Sequence, residues 1–127
     1  MSGVSLLLDT CAVIWLFNKS PMNEASRTAI ADAAERGELY VSPFSAWEIG
    51  TLVRKRKIAL NTTPQRWFGG VANHPGVRLV QLTHDVLMES CFLEDDPPSD
   101  PADRIMIATA RALGLTIVTR DRVILDY

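Results

Sequence analysis

The chain has 127 residues, of which 47% are hydrophobic and 22% are charged. This balance is typical of one globular domain rather than of a disordered chain. No apolar run approaches the roughly 18 residues that a membrane span requires, and residues 1–8 lack the basic start of a signal peptide. We therefore expect a cytoplasmic protein with no membrane partner, in which Cys11 and Cys91 are reduced and buried.

Short apolar runs alternate with helical patterns along the chain. The pattern predicts strands over residues 4–8, 39–41, 77–82 and 116–119. It predicts helices over residues 12–17, 23–36, 43–57, 63–72, 83–92 and 101–114. Ser42 and Asp100 are predicted N-caps, each followed by proline, while Gly37 and Gly114 are predicted helix ends. The alternation predicts a three-layer α/β/α fold with a mainly parallel central sheet, in which residues 1–127 form one domain.

Two acidic residues follow apolar strands closely. Asp9 comes directly after the run 4–8, and Asp121 lies two residues beyond Thr119. In open α/β sheets, ligands bind outside the carboxyl ends of the strands. A shared site is therefore one interpretation, and a helix-capping or turn role is the alternative for each residue.

Two further acids lie within predicted helices on apolar faces. Glu48 is the only charged residue from position 43 to position 53, and an unpaired carboxylate on such a face is costly. A capping-box role with Ser45 is the alternative, although a helix start at Ser42 places Glu48 too deep for it. Asp103 shares a face with apolar residues, and its alternative role is to support the cap at Asp100.

Inward-facing carboxylates with no obvious basic partner repel one another and need a cation. Oxygen ligands favour Mg²⁺, which Mn²⁺ can replace. Zinc is disfavoured because His74 and His84 show no metal-binding spacing. The sequence contains no motif typical of serine hydrolases, P-loop enzymes or dinucleotide-binding proteins.

Four blocks carry these acids: LLLDTCAVIWL at 6–16, VSPFSAWEI at 41–49, DPADRIMIATA at 100–110 and LTIVTRD at 115–121. In content and order they resemble the PIN-domain toxins of the VapC type, from bacterial toxin–antitoxin pairs. The resemblance spans nearly the whole chain. Many relatives have histidine at the position of Cys11 and shortly before the third block, where this chain has Pro98 and Ser99.

The resemblance implies an Mg²⁺-dependent endoribonuclease that cuts structured RNA, forms a homodimer and is inhibited by a cognate antitoxin protein. It implies that Asp9 and Asp103 hold the metal and that Glu48 and Asp121 complete or orient the cluster. Thr10 and Thr119 are predicted hydroxyl partners of these acids. The largely apolar helix 44–53 also favours an interface between subunits.

Basic residues beside the acids are candidates for binding RNA phosphate, namely Arg104, Arg120 and Arg122. The run 54–57 is either a solvated helix end or a further RNA contact. Two other functions remain open: an Mg²⁺-dependent phosphatase or phosphotransferase of α/β fold, and a PIN-like RNA-binding module without catalysis.

Overall fold

A computed structural model describes residues 3–19 and 24–119. The strands in these ranges are β1 (Leu6–Leu8), β2 (Leu39–Val41), β3 (Val77–Leu79) and β4 (Thr116–Val118). The helices are α1 (Thr10–Phe17), α2 (Glu24–Glu35), α3 (Phe44–Arg54), α4 (Pro64–Ala72), α5 (His84–Ser90) and α6 (Pro101–Leu113). The strands form a parallel sheet in the order β3-β2-β1-β4.

This strand order explains the layers. The chain moves from β1 to β2 to β3 in one direction and then returns past β1 to β4. Since crossovers between parallel strands are right-handed, the reversal places α5 and α6 on the opposite face from the earlier helices. One buried cluster joins Leu6 and Leu8 to residues of α1 to α4, and a second joins Leu7 to Met106 and Ala110 of α6. The predicted three-layer α/β/α fold is confirmed.

The central strand β1 fixes the position of the site. All three of its residues are buried, as the continuous apolar run predicts for a strand covered on both faces. It pairs with β2 on one side and with β4 on the other. The direction of winding changes between β1 and β4, and in open α/β sheets ligands bind at such a switch point. Asp9 and Thr119 directly follow these two strands.

Several predicted boundaries shift by a few residues. The first residue of α3 is Phe44, and Pro43 before it makes no side-chain capping bond. The Ser42 hydroxyl accepts the amide N–H of Phe44 at 3.1 Å, which is the capping bond that the sequence predicts for Ser42. The helix ends at Arg54 rather than near Lys57, and Arg56 adopts a left-handed φ of 60°.

The caps of α6 agree with prediction. Asp100 is its N-cap with Pro101 in the first turn, and Gly114 ends it with a left-handed φ of 68°.

The prediction for the two cysteines is half wrong. Neither Cys11 nor Cys91 forms a disulfide, as predicted, but both side chains are exposed. Cys11 precedes Ala12 and Val13, which face the core from α1, so the helix turns Cys11 outwards. Among the described residues, no helix has both the length and the apolar character that crossing a bilayer demands.

Candidate active site

Asp9 is fixed by the junction of β1 and α1. It is the N-cap of α1, and its Oδ1 accepts the amide N–H of Ala12 at 2.8 Å. Its Oδ2 accepts a hydrogen bond from the hydroxyl of Thr119, just beyond β4. The side chain is only 5% exposed. The capping role that the sequence left open is therefore real, and it holds the carboxylate at the switch point of the sheet.

Glu48 reaches the same region from α3. Its Oε1 accepts a hydrogen bond from the hydroxyl of Thr10, the first residue of α1. The Thr10 hydroxyl also lies 2.9 Å from the hydroxyl of Ser45. Ser45 is the second residue of α3 rather than its N-cap, so the capping-box alternative for Glu48 is wrong. The pairing of Ser45 with Thr10 of α1 left no signal in the sequence, because the two residues lie on separate helices.

The surroundings of Glu48 disfavour its charge. Burial raises the pKa of the Glu48 carboxyl above its ordinary value of 4.5, and the hydrogen bond from Thr10 opposes that rise. The negative charges of Asp100 and Asp9 raise the pKa further. Acids from α1, α3 and the start of α6 are therefore close enough to repel one another, and a bound cation relieves such repulsion.

The start of α6 contributes a residue that the sequence analysis undervalued. The sequence predicts a capping role for Asp100, and its Oδ1 does accept the amide N–H of Ala102 at 3.0 Å. Its charge also raises the pKa of Glu48, so Asp100 belongs with Asp9 and Glu48 to one acidic region. Asp103 lies half-buried in the first turn of α6, three residues further on. The sequence could not reveal the approach of Asp100 to Glu48, because the two residues lie on separate elements.

Arg104 has a role that the sequence analysis did not foresee. Its guanidinium donates hydrogen bonds to three backbone carbonyl oxygens: Ser90 at 2.8 Å, Pro98 at 3.0 Å and Cys91 at 3.1 Å. These bonds fasten the end of α5 and the loop before Asp100 to α6. Three of the five N–H groups of Arg104 are used in this way, so two remain for its predicted contact with RNA phosphate.

Comparison with known proteins identifies the family of this chain. The model of the PIN domain family matches residues 6–127. The chain belongs to the PIN domain family. It is 34% identical over 119 residues to Ribonuclease VapC22 of Mycobacterium tuberculosis, covering 93% of this chain and 88% of that protein. The resemblance to VapC-type PIN domains, first found in the four sequence blocks, is thus confirmed.

A solved structure shares the architecture. It is described as a toxin–antitoxin complex from Klebsiella pneumoniae, and it matches with a TM-score of 0.62 at 20% identity. The match covers 92% of this chain and 87% of that chain. At this identity the likeness shows the PIN fold and nothing more.

The predicted fourth acid of this PIN domain, Asp121, lies outside the described residues, as do Arg120 and Arg122. Within residues 3–19 and 24–119, no three histidine, cysteine, aspartate or glutamate side chains form a metal site. The donor set still suits a hard cation, because the acids that act on Glu48 supply only oxygen atoms. Asp9 and Glu48 are also already oriented by hydroxyl groups, as metal-binding carboxylates usually are.

Proposed function

We propose that this PIN domain is a metal-dependent endoribonuclease that acts as the toxin of a toxin–antitoxin pair in the cytoplasm, cutting phosphodiester bonds of structured RNA. The observation that carries the proposal is the pair Asp9 and Glu48. Asp9 precedes α1 and Glu48 lies on α3, each is oriented by a threonine hydroxyl, and they lie where the sheet changes winding direction. The name of the relative Ribonuclease VapC22 supports the same reaction class.

The cofactor in this proposal is Mg²⁺, with Mn²⁺ as a substitute. Asp9, Glu48, Asp103 and Asp121 would hold it. Bound there, the ion would supply Lewis-acid stabilisation of charge developing on the scissile phosphate. The Thr119 and Thr10 hydroxyls hold Asp9 and Glu48 in place. The burial of Asp9 keeps it in a low-dielectric setting, in which its charge acts more strongly than in water.

Binding of RNA needs positive groups around this acidic centre. Since three of the five N–H groups of Arg104 donate to carbonyl oxygens, we favour Arg120 and Arg122, the sequence neighbours of Asp121, for contacts with phosphate. The exposed basic run 54–57 at the end of α3 adds a second positive surface. Contacts of this kind make binding weaken as salt rises.

Two protein partners belong to the proposal. The first is a cognate antitoxin that covers the acidic centre, with a basic side chain as a natural partner for the carboxylates. The second is another copy of the chain. On α3, Trp47 is 63% exposed and stacks on Phe44 with ring centroids 5.4 Å apart, an aromatic pair of the kind that subunit interfaces cover. Sedimentation should give about twice the 14.1 kDa chain mass.

Cleavage of RNA by the purified, antitoxin-free chain tests the function. A structured RNA should be cut with Mg²⁺ or Mn²⁺ and remain intact with EDTA, and an Asp9→Asn variant should be inactive in both. Expression of the wild-type chain alone should arrest growth, while the variant should not. Equal cutting in EDTA would contradict the proposal.

The same samples test the two other functions. Release of inorganic phosphate from small phosphate esters, without cutting of RNA, would favour the phosphatase or phosphotransferase. Binding of RNA without cleavage at any metal concentration would favour the non-catalytic RNA-binding module.

A further inference from the structure

Ser45 lies in an enclosed position between two helices. Its side chain is 0% exposed, and its hydroxyl is 2.9 Å from that of Thr10. Ser45 and Glu48 are three residues apart on α3 and therefore share one face of the helix. Thr10 thus contacts both residues from α1, and the three side chains form one hydrogen-bonded chain.

Which hydroxyl donates and which group accepts in these hydrogen bonds follows from counting protons. A hydroxyl has one proton to donate and two lone pairs that accept, whereas an ionised carboxylate only accepts. Thr10 donates its proton to Glu48, so it has none left for Ser45. The contact between the two hydroxyls must then run from Ser45 to Thr10.

No backbone carbonyl of the described residues replaces Thr10 as the partner of the Ser45 hydroxyl. A serine inside a helix often bonds to the carbonyl three or four residues earlier. Here these carbonyls belong to Ser42 and Val41, and the Ser45 hydroxyl bonds to neither of them: its partner among the described residues is the Thr10 hydroxyl. Since Ser45 is buried, water does not offer a substitute. The Thr10 hydroxyl is the acceptor that the geometry provides.

We infer that Ser45 is a positioning residue for Glu48 and acts through Thr10. Its proton occupies a lone pair of Thr10 and so turns the single Thr10 proton towards the Glu48 carboxylate. Hydrogen bonds in such a chain polarise and strengthen one another. The inference deepens the proposed function, because an oriented Glu48 is what a cation at this site would require.

The first test needs neither metal nor RNA. The free energy of unfolding is measured in EDTA for Ser45→Ala, Glu48→Ala and their combination, with and without Thr10→Val. Removal of a hydrogen bond of this kind changes the unfolding constant by about three- to ten-fold, so Ser45 and Glu48 should be coupled by a similar factor. Since the coupling runs through Thr10, it should vanish in the Thr10→Val background.

The second test measures Mn²⁺ affinity by calorimetry on the full chain. Loss of an outer partner of a metal ligand weakens binding by about ten- to 100-fold, and Ser45→Ala, one bond further away, should fall near the lower end. Thr10→Ser keeps the hydroxyl and should retain the affinity. Ser90→Ala is the matched control, because Ser90 is also buried and donates to a carbonyl, that of Leu87 at 2.6 Å, outside the acidic region.

These outcomes separate the two proposals. If the wild type binds no Mn²⁺ and cuts no RNA, the proposed function fails, and the coupling measurement still decides the role of Ser45. Absence of coupling, or equal coupling with Thr10→Val present, would overturn the inference. If the wild type binds Mn²⁺, equal Mn²⁺ affinities of Ser45→Ala and Ser90→Ala would also overturn the inference.

Discussion

Asp9 and Asp100 cap two helices in the same way, but their surroundings differ. Both residues have extended backbone, and Oδ1 of each accepts an amide N–H of its helix. Asp9 is 5% exposed, and its second oxygen accepts a hydrogen bond from Thr119. Asp100 is exposed and follows a loop rather than a strand.

The difference lies in what holds each cap in place. Asp9 directly continues a buried strand that is paired on both sides, so the sheet determines its position. The loop before Asp100 is tied to α6 by Arg104. A capping aspartate at the end of a central strand is thus held rigidly in the site. Asp100, at the end of a loop, lies at the edge of the site, where its charge disfavours ionisation of Glu48.

The largest contrast should appear in catalysis. Asparagine preserves the cap at both positions but removes the charge. Asp9→Asn should lower RNA cleavage by at least about 100-fold, because loss of a ligand charge should cost no less than the upper range for loss of a ligand's hydrogen-bond partner, and Asp100→Asn by about ten-fold or less. Single-turnover rates at saturating Mg²⁺ measure both. Equal losses at the two positions would remove the distinction between them.

Stability should depend strongly on the Arg104 contacts. Arg104→Met leaves three carbonyl oxygens without their charged donor and should cost about 2–3 kcal/mol, or about 10 °C in Tm. Arg36→Met is the matched control, since exposed Arg36 also donates to a backbone carbonyl, that of Val4 at 2.8 Å. Its cost should stay below about 1 kcal/mol. Thermal melts that give equal losses would show that the Arg104 contacts do not fasten the loop.

A smaller effect concerns Glu48, whose negative charge is opposed by burial and by the carboxylates of Asp100 and Asp9. Its raised pKa means that the folded state binds a proton more tightly than the unfolded state. Ionised Glu48 therefore lowers the stability of the metal-free protein at neutral pH, and this loss is recovered as pH falls through the raised pKa towards 4.5. Glu48→Gln keeps an acceptor for Thr10 and should melt higher than wild type at pH 7 in EDTA.

The Tm difference between these two proteins should close as the pH approaches 4.5. Added Mg²⁺ should raise the Tm of the wild type more than that of Glu48→Gln, because a ligand stabilises only the state that binds it. A difference in Tm that stays constant with pH would indicate a packing effect instead.

The sequence was informative where the structure depends on local patterns. Apolar runs predicted the strands, and Asp100, Pro101 and Gly114 predicted both ends of α6. The hydroxyl of Ser45 paired with Thr10 and the three carbonyl oxygens on Arg104 were not predicted. These contacts join residues that are distant along the chain, and their geometry is set only when helices pack on the sheet. The exposure of Cys11 was missed because a single residue does not reveal its helix face.

Binding of a catalytic cation by Asp9 and Glu48 together can be observed in an anomalous difference map from crystals of the chain soaked in Mn²⁺. One or two peaks should lie in direct contact with carboxylate oxygens of Asp9 and Glu48, and no such peak should be present in crystals of Asp9→Asn. A Mn²⁺ peak elsewhere in an active protein, with neither carboxylate in contact, would contradict binding of the cation by this pair.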